Sequence, residues 1–126
     1  MKKPKKKKKP RSNRHRKYVY TPNVISMKTR IYCFLSVVFL MGYGIAGYVT
    51  NSMYVPGRRG RGVTIEDEAI IVMIVALVLA SIGLLSEVVD HYDNRDNEQQ
   101  YAKFQFIVFC SAVGLAFFSL VVNLVI

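Results

Sequence analysis

The chain has 126 residues, 52% of them hydrophobic, and a formal net charge of +10. This length allows one domain at most. The apolar residues are concentrated in three blocks, which excludes an ordinary soluble domain, and the chain has too little other sequence to surround three such blocks in a soluble core.

The first 20 residues form a polybasic tail. It has few apolar groups and a run of like charges, so it cannot bury enough surface to offset the entropy of ordering, and we predict that it is disordered. Beside a membrane span, the simplest interpretation is attraction to anionic lipid, at about 1 kcal/mol per basic residue near the surface. Nucleic-acid binding and a nuclear-localisation signal are alternatives that need more assumptions. The predicted lipid contacts of the tail are Lys5, Lys6, Lys7, Lys8, Lys9 and Arg11.

Three apolar blocks follow, at residues 31–50, 69–86 and 104–126. Each is long enough to cross about 30 Å of hydrocarbon as a helix, which needs roughly 20 residues. A cleaved signal peptide does not fit the first block, because the basic region and the apolar stretch are both too long and no small-x-small cleavage site follows. We therefore predict an all-α integral membrane protein, in which residues 21–126 form a small bundle of three transmembrane helices.

The distribution of charge predicts the orientation in the membrane. Thirteen of the 18 basic residues precede the first span, with no acidic residue among them. A cytoplasmic N-terminus leaves only Arg58, Arg59 and Arg61 outside. The inverse orientation would carry thirteen charges outward against about 100 mV, at a cost of about 30 kcal/mol. We predict a cytoplasmic N-terminus and an outward C-terminus in a bacterial inner (plasma) membrane, although a eukaryotic endomembrane would accept the same topology.

The connection between the first two spans carries two local signals. Residues 54–62 are rich in Gly and Arg and predict a flexible turn. Residues 64–67 predict the start of the second helix, because the hydroxyl of Thr64 can cap free amides and the carboxylates that follow lie at the positive end of the helix dipole. The arginines of the turn are candidate contacts to lipid phosphates, or partners of Glu66 to Glu68; they are Arg58, Arg59 and Arg61.

Small residues predict how the helices pack, because in lipid they let two backbones approach closely. They predict a compact bundle, although one small-residue face could instead serve a homo-oligomer or another membrane subunit. Residues 42–47 also match G-x-G-x-x-G, but a dinucleotide site needs a preceding strand, and this segment lies inside a span. Tyr43 is expected to find a partner on a neighbouring helix, and Asn123 a helix partner or water. The predicted packing residues are Gly42, Ala46, Ala76, Ala80, Gly83, Ala112 and Ala116.

In the second connection, the second helix is predicted to continue past the membrane and the third to begin near Asp96 or Asn97. The loop does not have the spacing of a calcium-binding EF-hand, because the sixth and twelfth positions counted from Asp90 are Arg95 and Tyr101. We interpret it as a solvated, helix-capping loop that could dock a partner or contact the basic tail. The residues of this candidate docking loop are Asp90, His91, Asp93, Arg95 and Asp96.

The chain has no paired nucleophile and base, no metal-ligand spacing and no phosphate loop, so we expect no enzyme activity, no cofactor and no small-molecule substrate. The first hypothesis is an accessory or interaction subunit that contacts anionic lipid and another membrane protein. A second copy of the chain is the alternative partner, and nucleic acid is not an expected one. The alternative is a small oligomeric pore of the holin type. A membrane immunity protein is a further alternative. A pore would need a polar lining, for which the candidates are Ser36, Ser81, Ser86, Ser111 and Ser119.

Overall fold

The computed structural model describes residues 25–93 and 95–125. The predicted disordered tail with its lipid-contacting lysines lies outside the described residues, as does Ile126 at the end of the third predicted span. The described chain contains three long helices, each long and apolar enough to cross a membrane, as the sequence predicts. They are α1 (Met27–Thr50), α2 (Glu68–Tyr92) and α3 (Glu98–Val125).

Helix α1 begins and ends at recognisable caps. At its start, the Ser26 hydroxyl accepts a hydrogen bond from the Thr29 amide, which satisfies one of the free donors of the first turn. At its end, Asn51 takes the left-handed conformation with φ 49°, and its amide donates to the carbonyls of Gly47 and Tyr48. The reversal at Asn51 turns the chain back towards the helix that it has just left.

A β-hairpin, not a flexible turn and a helix start, connects α1 to α2. Strand β1 (Ser52–Val55) pairs antiparallel with β2 (Val63–Glu66), and a short 3-10 turn at Arg58–Gly60 lies between them. The prediction that residues 64–67 begin the second helix is therefore wrong. Helix α2 starts only at Glu68, and Asp67 before it has φ 55° and makes no side-chain capping bond.

The strand is favoured because residues 63–66 alternate in polarity, with Ile65 on the side that packs against the helices. Ile65 is completely buried and is paired with Met53, which is 2% exposed, while Thr64 and Glu66 are exposed. A strand presents alternate side chains on opposite faces, so one face of the hairpin can be fully apolar. Burial of this face outweighs the local capping signal, because a cap contributes only about 1 kcal/mol and burial of two large side chains contributes about 1.5–3 kcal/mol each.

The hairpin packs into the helices rather than standing away from them. Its buried face joins the first two turns of α2, and the resulting core contains Met53, Ile65, Ala69, Ile70 and Met73. Gly47 of α1 is the position that admits Met53, since an added Cβ at this glycine would lie 2.5 Å from the Met53 Cε and 3.3 Å from its Cβ. Strand β1 therefore runs back along the last turns of α1.

Helix α2 is the central element, and α1 and α3 each pack against it. The Gly83 backbone lies against the Phe109 ring of α3, where an added Cβ would be 2.9 Å from the ring. Gly44 of α1 lies against Leu77 and Ile74. Among the predicted packing residues, Ala76, Gly83 and Ala112 are buried, and Ala80 and Ala116 are partly buried.

Two predicted packing residues of α1 do not contact the bundle. Gly42 is exposed and an added Cβ there would meet nothing within 4 Å, and Ala46 is also exposed. The prediction of a contact within the bundle is wrong for this pair. The physical reason is the hairpin, because Gly44 and Gly47 turn towards α2 and Met53 and thereby rotate Gly42 and Ala46 to the outer side of the helix.

Candidate functional site

The side chain of Asn123, near the end of α3, holds the outer edge of the hairpin. Its Oδ1 accepts a hydrogen bond from the Glu66 amide at 3.0 Å, and its Nδ2 donates to the Thr64 carbonyl at 3.0 Å. This is the pattern by which a neighbouring strand would pair with β2. One side-chain amide thus closes the edge of a two-stranded sheet and joins it to the third helix.

Two further bonds tie the start of α2 to its neighbours. The fully buried Ser119 hydroxyl of α3 donates to the Ala69 carbonyl at 2.7 Å. The Asn51 side chain at the end of α1 donates to an Asp67 carboxylate oxygen at 2.8 Å. All three helices and the hairpin are therefore joined at one end of the bundle, which we call the hairpin end.

The hydrogen-bond partner of Tyr43 lies in the hairpin, whereas the sequence predicts a partner on a neighbouring helix. Its hydroxyl donates to the backbone carbonyl of Tyr54 in β1. The expected need for a partner is met, but the predicted element is wrong. Because β1 runs back along α1, a strand carbonyl comes within reach of a tyrosine that lies two turns before the end of the helix.

The tip of the hairpin, residues 56–62, carries Arg58, Arg59 and Arg61, and all three are exposed. None of them forms an ion pair with a carboxylate in the part of the chain that the structure describes. The alternative that they pair with Glu66 to Glu68 is not what the structure shows. The antiparallel register places Glu66 opposite Ser52 at the base of the hairpin, three residue pairs from the tip, or about 10 Å.

At the opposite end of the bundle, which we call the connector end, Asp93 joins α2 to α3. Its carboxylate accepts hydrogen bonds from the Asn97 side chain at 3.0 Å, the Arg95 amide at 3.1 Å and the Tyr101 hydroxyl at 3.3 Å. The Arg95 guanidinium lies 3.8 Å away. The hydrogen bond from Asn97 is the largest cause that lowers the pKa of Asp93, followed by the bond from the Arg95 amide.

The beginning of α1 is also fixed at the connector end. The Ile25 amide donates to Nδ1 of His91 at 3.2 Å, and Arg30 donates to the Tyr92 hydroxyl at 2.8 Å with its guanidinium 5.7 Å from the ring centre. The basic tail that precedes Ile25 is therefore joined to the chain beside the end of α2. A cation and an aromatic ring in this arrangement attract each other electrostatically.

The five residues of the predicted docking loop differ in accessibility. Asp90 is buried, His91 and Asp93 are partly buried, and Arg95 and Asp96 are exposed. Within the described residues, no group of three or more His, Cys, Asp or Glu side chains is arranged to hold a metal ion. Of these five residues, Arg95 and Asp96 are the most accessible to a partner.

The sequence indicates Asn123 as a polar group within a span but not its role, and it does not reveal the hydrogen-bond partners of Ser119 and Asn51. Ser119 and Ala69 are separated by 50 positions, and Asn123 and Thr64 by 59. A single amide near the end of an apolar span was the available signal. The sequence does not reveal its partner, because the capping signal at residues 64–67 predicts a helix where the structure has a strand.

Replacing Asn123 with leucine should loosen the hairpin. The Glu66 amide and the Thr64 carbonyl would lose their partners, so we expect unfolding to become easier by about 1–3 kcal/mol and the Glu66 amide to exchange faster. Hydrogen exchange of the purified protein in detergent measures this directly. Leu124→Ala, at an exposed neighbouring position, is the control and should leave exchange in the hairpin unchanged. Equal protection in Asn123→Leu and the wild type would contradict the assigned role of the amide.

Asp93 should contribute to stability in a pH-dependent way. Its pKa is lowered in the folded protein, so its contribution is fully present above the unfolded-state value of about 3.9 and is lost as the pH falls through the lower folded-state value. Asp93→Asn should therefore lower the unfolding temperature at pH 7 and reduce the loss of stability on acidification. Thermal unfolding followed by circular dichroism at several pH values tests this. The exposed Asp96→Asn is the control, and equal pH profiles for the two variants would contradict the prediction.

The chain was also compared with known proteins. It matches no family model, no curated protein and no solved structure.

Proposed function

We propose that this chain is a non-catalytic integral membrane protein that acts as an accessory or interaction subunit within the bilayer. The outer surfaces of its helices support membrane insertion. Large apolar side chains such as Phe39 of α1 and Phe117 of α3 are 70% and 69% exposed. A protein in water rarely leaves such continuous apolar surface open, whereas a lipid environment favours it.

The distribution of charge between the two ends of the bundle supports the proposed orientation. Arg30, Arg95 and Lys103 belong to the connector end, and the basic tail joins the chain there. Only the three arginines of the tip belong to the hairpin end. By the positive-inside rule the connector end is cytoplasmic and the hairpin end faces outward. We propose the inner membrane of a bacterium as the compartment.

The exposed small residues of α1 are the observation on which the interaction role rests. Gly42 and Ala46 are four residues apart and therefore lie one above the other on the same helix face. An added Cβ at Gly42 would meet nothing within 4 Å, and Ala46 is exposed. The helix uses different glycines, Gly44 and Gly47, for its contacts within the bundle. A small-xxx-small face open to lipid lets a second helix approach closely, so it favours a partner within the membrane.

The hydrogen bonds of the serines favour this proposal over a pore. Ser81 and Ser86 donate to backbone carbonyls of their own helix, and Ser119 donates to Ala69 across the bundle. Ser36 and Ser111 are exposed, but they lie on α1 and α3, which pack on different sides of α2. The candidate lining residues therefore do not share one polar face, which a water-filled pore requires.

Single cysteines should report the proposed orientation. In a variant with Cys33 and Cys110 replaced by alanine, Ser52→Cys at the hairpin end should react with a membrane-impermeant maleimide in intact cells. Asp96→Cys at the connector end should react only after the membrane is permeabilised. Ser52 and Asp96 are both exposed, so a difference in labelling between these two positions reports the side of the membrane on which each lies. Labelling of Asp96→Cys in intact cells would overturn the orientation.

Crosslinking in native membranes tests the interaction role. With a tag at the C-terminus, mild crosslinking followed by mass spectrometry should recover one defined membrane partner. Gly42→Leu combined with Ala46→Leu should reduce its recovery at least about tenfold, as expected for the loss of 1.4 kcal/mol of helix contact.

Gly114→Leu is the matched control for this experiment, because Gly114 lies on α3 and an added Cβ there also meets nothing within 4 Å. Its partner recovery should equal that of the wild type. Ladders of self-crosslinked chains without any second protein would reject the accessory role and favour the oligomeric pore.

A further inference from the structure

We propose that the hairpin tip, residues 56–62, binds the phosphate of an anionic lipid headgroup in the outer leaflet. This inference rests on the proposed membrane insertion and adds a specific ligand class at the outer surface. The three guanidinium groups of Arg58, Arg59 and Arg61 provide the binding chemistry. A guanidinium presents parallel N–H donors that match two phosphate oxygens, so its contact with phosphate is both charged and directional.

The backbone of the tip is a defined turn. Arg59 and Gly60 both have positive φ, at 61° and 75°, and Gly57 passes so close to Arg61 that an added Cβ would lie 1.7 Å from the Arg61 carbonyl oxygen. Glycine permits this approach because it has no side chain. The turn thus brings together the backbone on either side of Arg58, Arg59 and Gly60, and keeps three cationic side chains on a short loop.

The charge of the tip is not neutralised by the described part of the protein. Among the described residues, no carboxylate lies within ion-pair distance of the three arginines. The nearest acidic residues along β2 and α2 are Glu66, Asp67 and Glu68, which lie at the base of the hairpin, and Asp67 already accepts a hydrogen bond from Asn51. The tip therefore keeps its full positive charge for an external anion.

The depth of the hairpin favours a lipid as the source of that anion. Met53 lies on Gly47, and the Tyr54 carbonyl accepts from Tyr43. These two α1 residues lie three and seven positions before the end of the helix, or about 5 and 10 Å back along its axis. With α1 across the bilayer, β1 lies beside the last turns of the helix, inside the outer leaflet and not in the water above it. Long arginine side chains on the adjoining tip can extend their charged groups to the headgroup phosphates while their apolar stems remain in the leaflet.

The side chains beside the tip suit the same location. Tyr54 is 50% exposed and Val63 is 40% exposed, so apolar and aromatic surface adjoins the three positive charges. An aromatic ring with a polar hydroxyl is favoured at the boundary between hydrocarbon and water. The bonds of Asn123 and Tyr43 hold both strands in place before any lipid binds, which reduces the conformational entropy lost on binding.

The absence of tryptophan from the sequence makes a local test possible. Val63→Trp places a single fluorescent reporter next to the tip of the full-length protein in phosphatidylcholine vesicles. Brominated phosphatidylglycerol and brominated phosphatidylcholine are then added in separate experiments at equal mole fraction. We expect the anionic lipid to quench at least about threefold more effectively, because each arginine near the surface favours anionic lipid. Inorganic phosphate at millimolar concentration should not remove this preference.

Two variants of the reporter protein separate charge from geometry. Arg58→Gln, Arg59→Gln and Arg61→Gln together should reduce the quenching ratio to about one, since the donors for phosphate are lost. Arg58→Lys, Arg59→Lys and Arg61→Lys together keep the charge and should retain only part of the preference, because lysine does not form the paired contact.

Four results would overturn the proposal, and only the last of them also rejects membrane insertion. Equal quenching by both lipids in the wild-type tip would reject the phosphate site but leave insertion intact. A preference that survives the triple glutamine substitution would assign the anionic lipid to other residues, and one that is abolished by inorganic phosphate would assign the tip to a soluble anion. No quenching by either lipid would reject insertion itself.

Discussion

The packing of the hairpin against the first turns of α2 is the interaction on which the rest of the structure depends. Ile65 and Met53 are buried on Ala69, Ile70 and Met73, and this contact decides where α2 begins. Without it, the residues after Thr64 would have strong local reasons to start a helix. Because the strand pairing satisfies their backbone groups and buries their apolar face, the helix starts three residues later than the cap signal predicts.

This contact also determines which faces of the helices remain available. Met53 occupies the space above Gly47, and Gly44 approaches α2, so these two glycines of α1 are used for contacts within the chain. Gly42 and Ala46 are consequently directed outward. In the proposed function, the hairpin thus has an indirect role, because by setting the rotation of α1 it leaves a small-residue face open to a partner in the membrane.

The two ends of the bundle are held by different chemistry. At the hairpin end, neutral amide and hydroxyl groups of Asn123, Ser119 and Tyr43 bond to backbone atoms, and the exposed Asp67 carboxylate accepts a hydrogen bond from Asn51. At the connector end, the Asp93 carboxylate accepts three hydrogen bonds, and the Arg30 guanidinium lies over the Tyr92 ring. Neutral bonds tolerate burial in lipid better than charges do. The charged contacts are found at the ends of the helices, where the connections between them reach water in the proposed orientation.

The sequence by itself determined the three apolar helices and the asymmetry of charge that predicts their orientation, because apolar length and charge are properties of local segments. The tertiary structure decided the β-hairpin, the partners of Asn123 and Tyr43, and the choice of Gly44 and Gly47 over Gly42 as contacts. These features depend on residues up to 59 positions apart meeting at one end of the bundle. A local pattern does not contain that information, since the same residues satisfy a helix cap or a strand equally well until the surface that buries them is present.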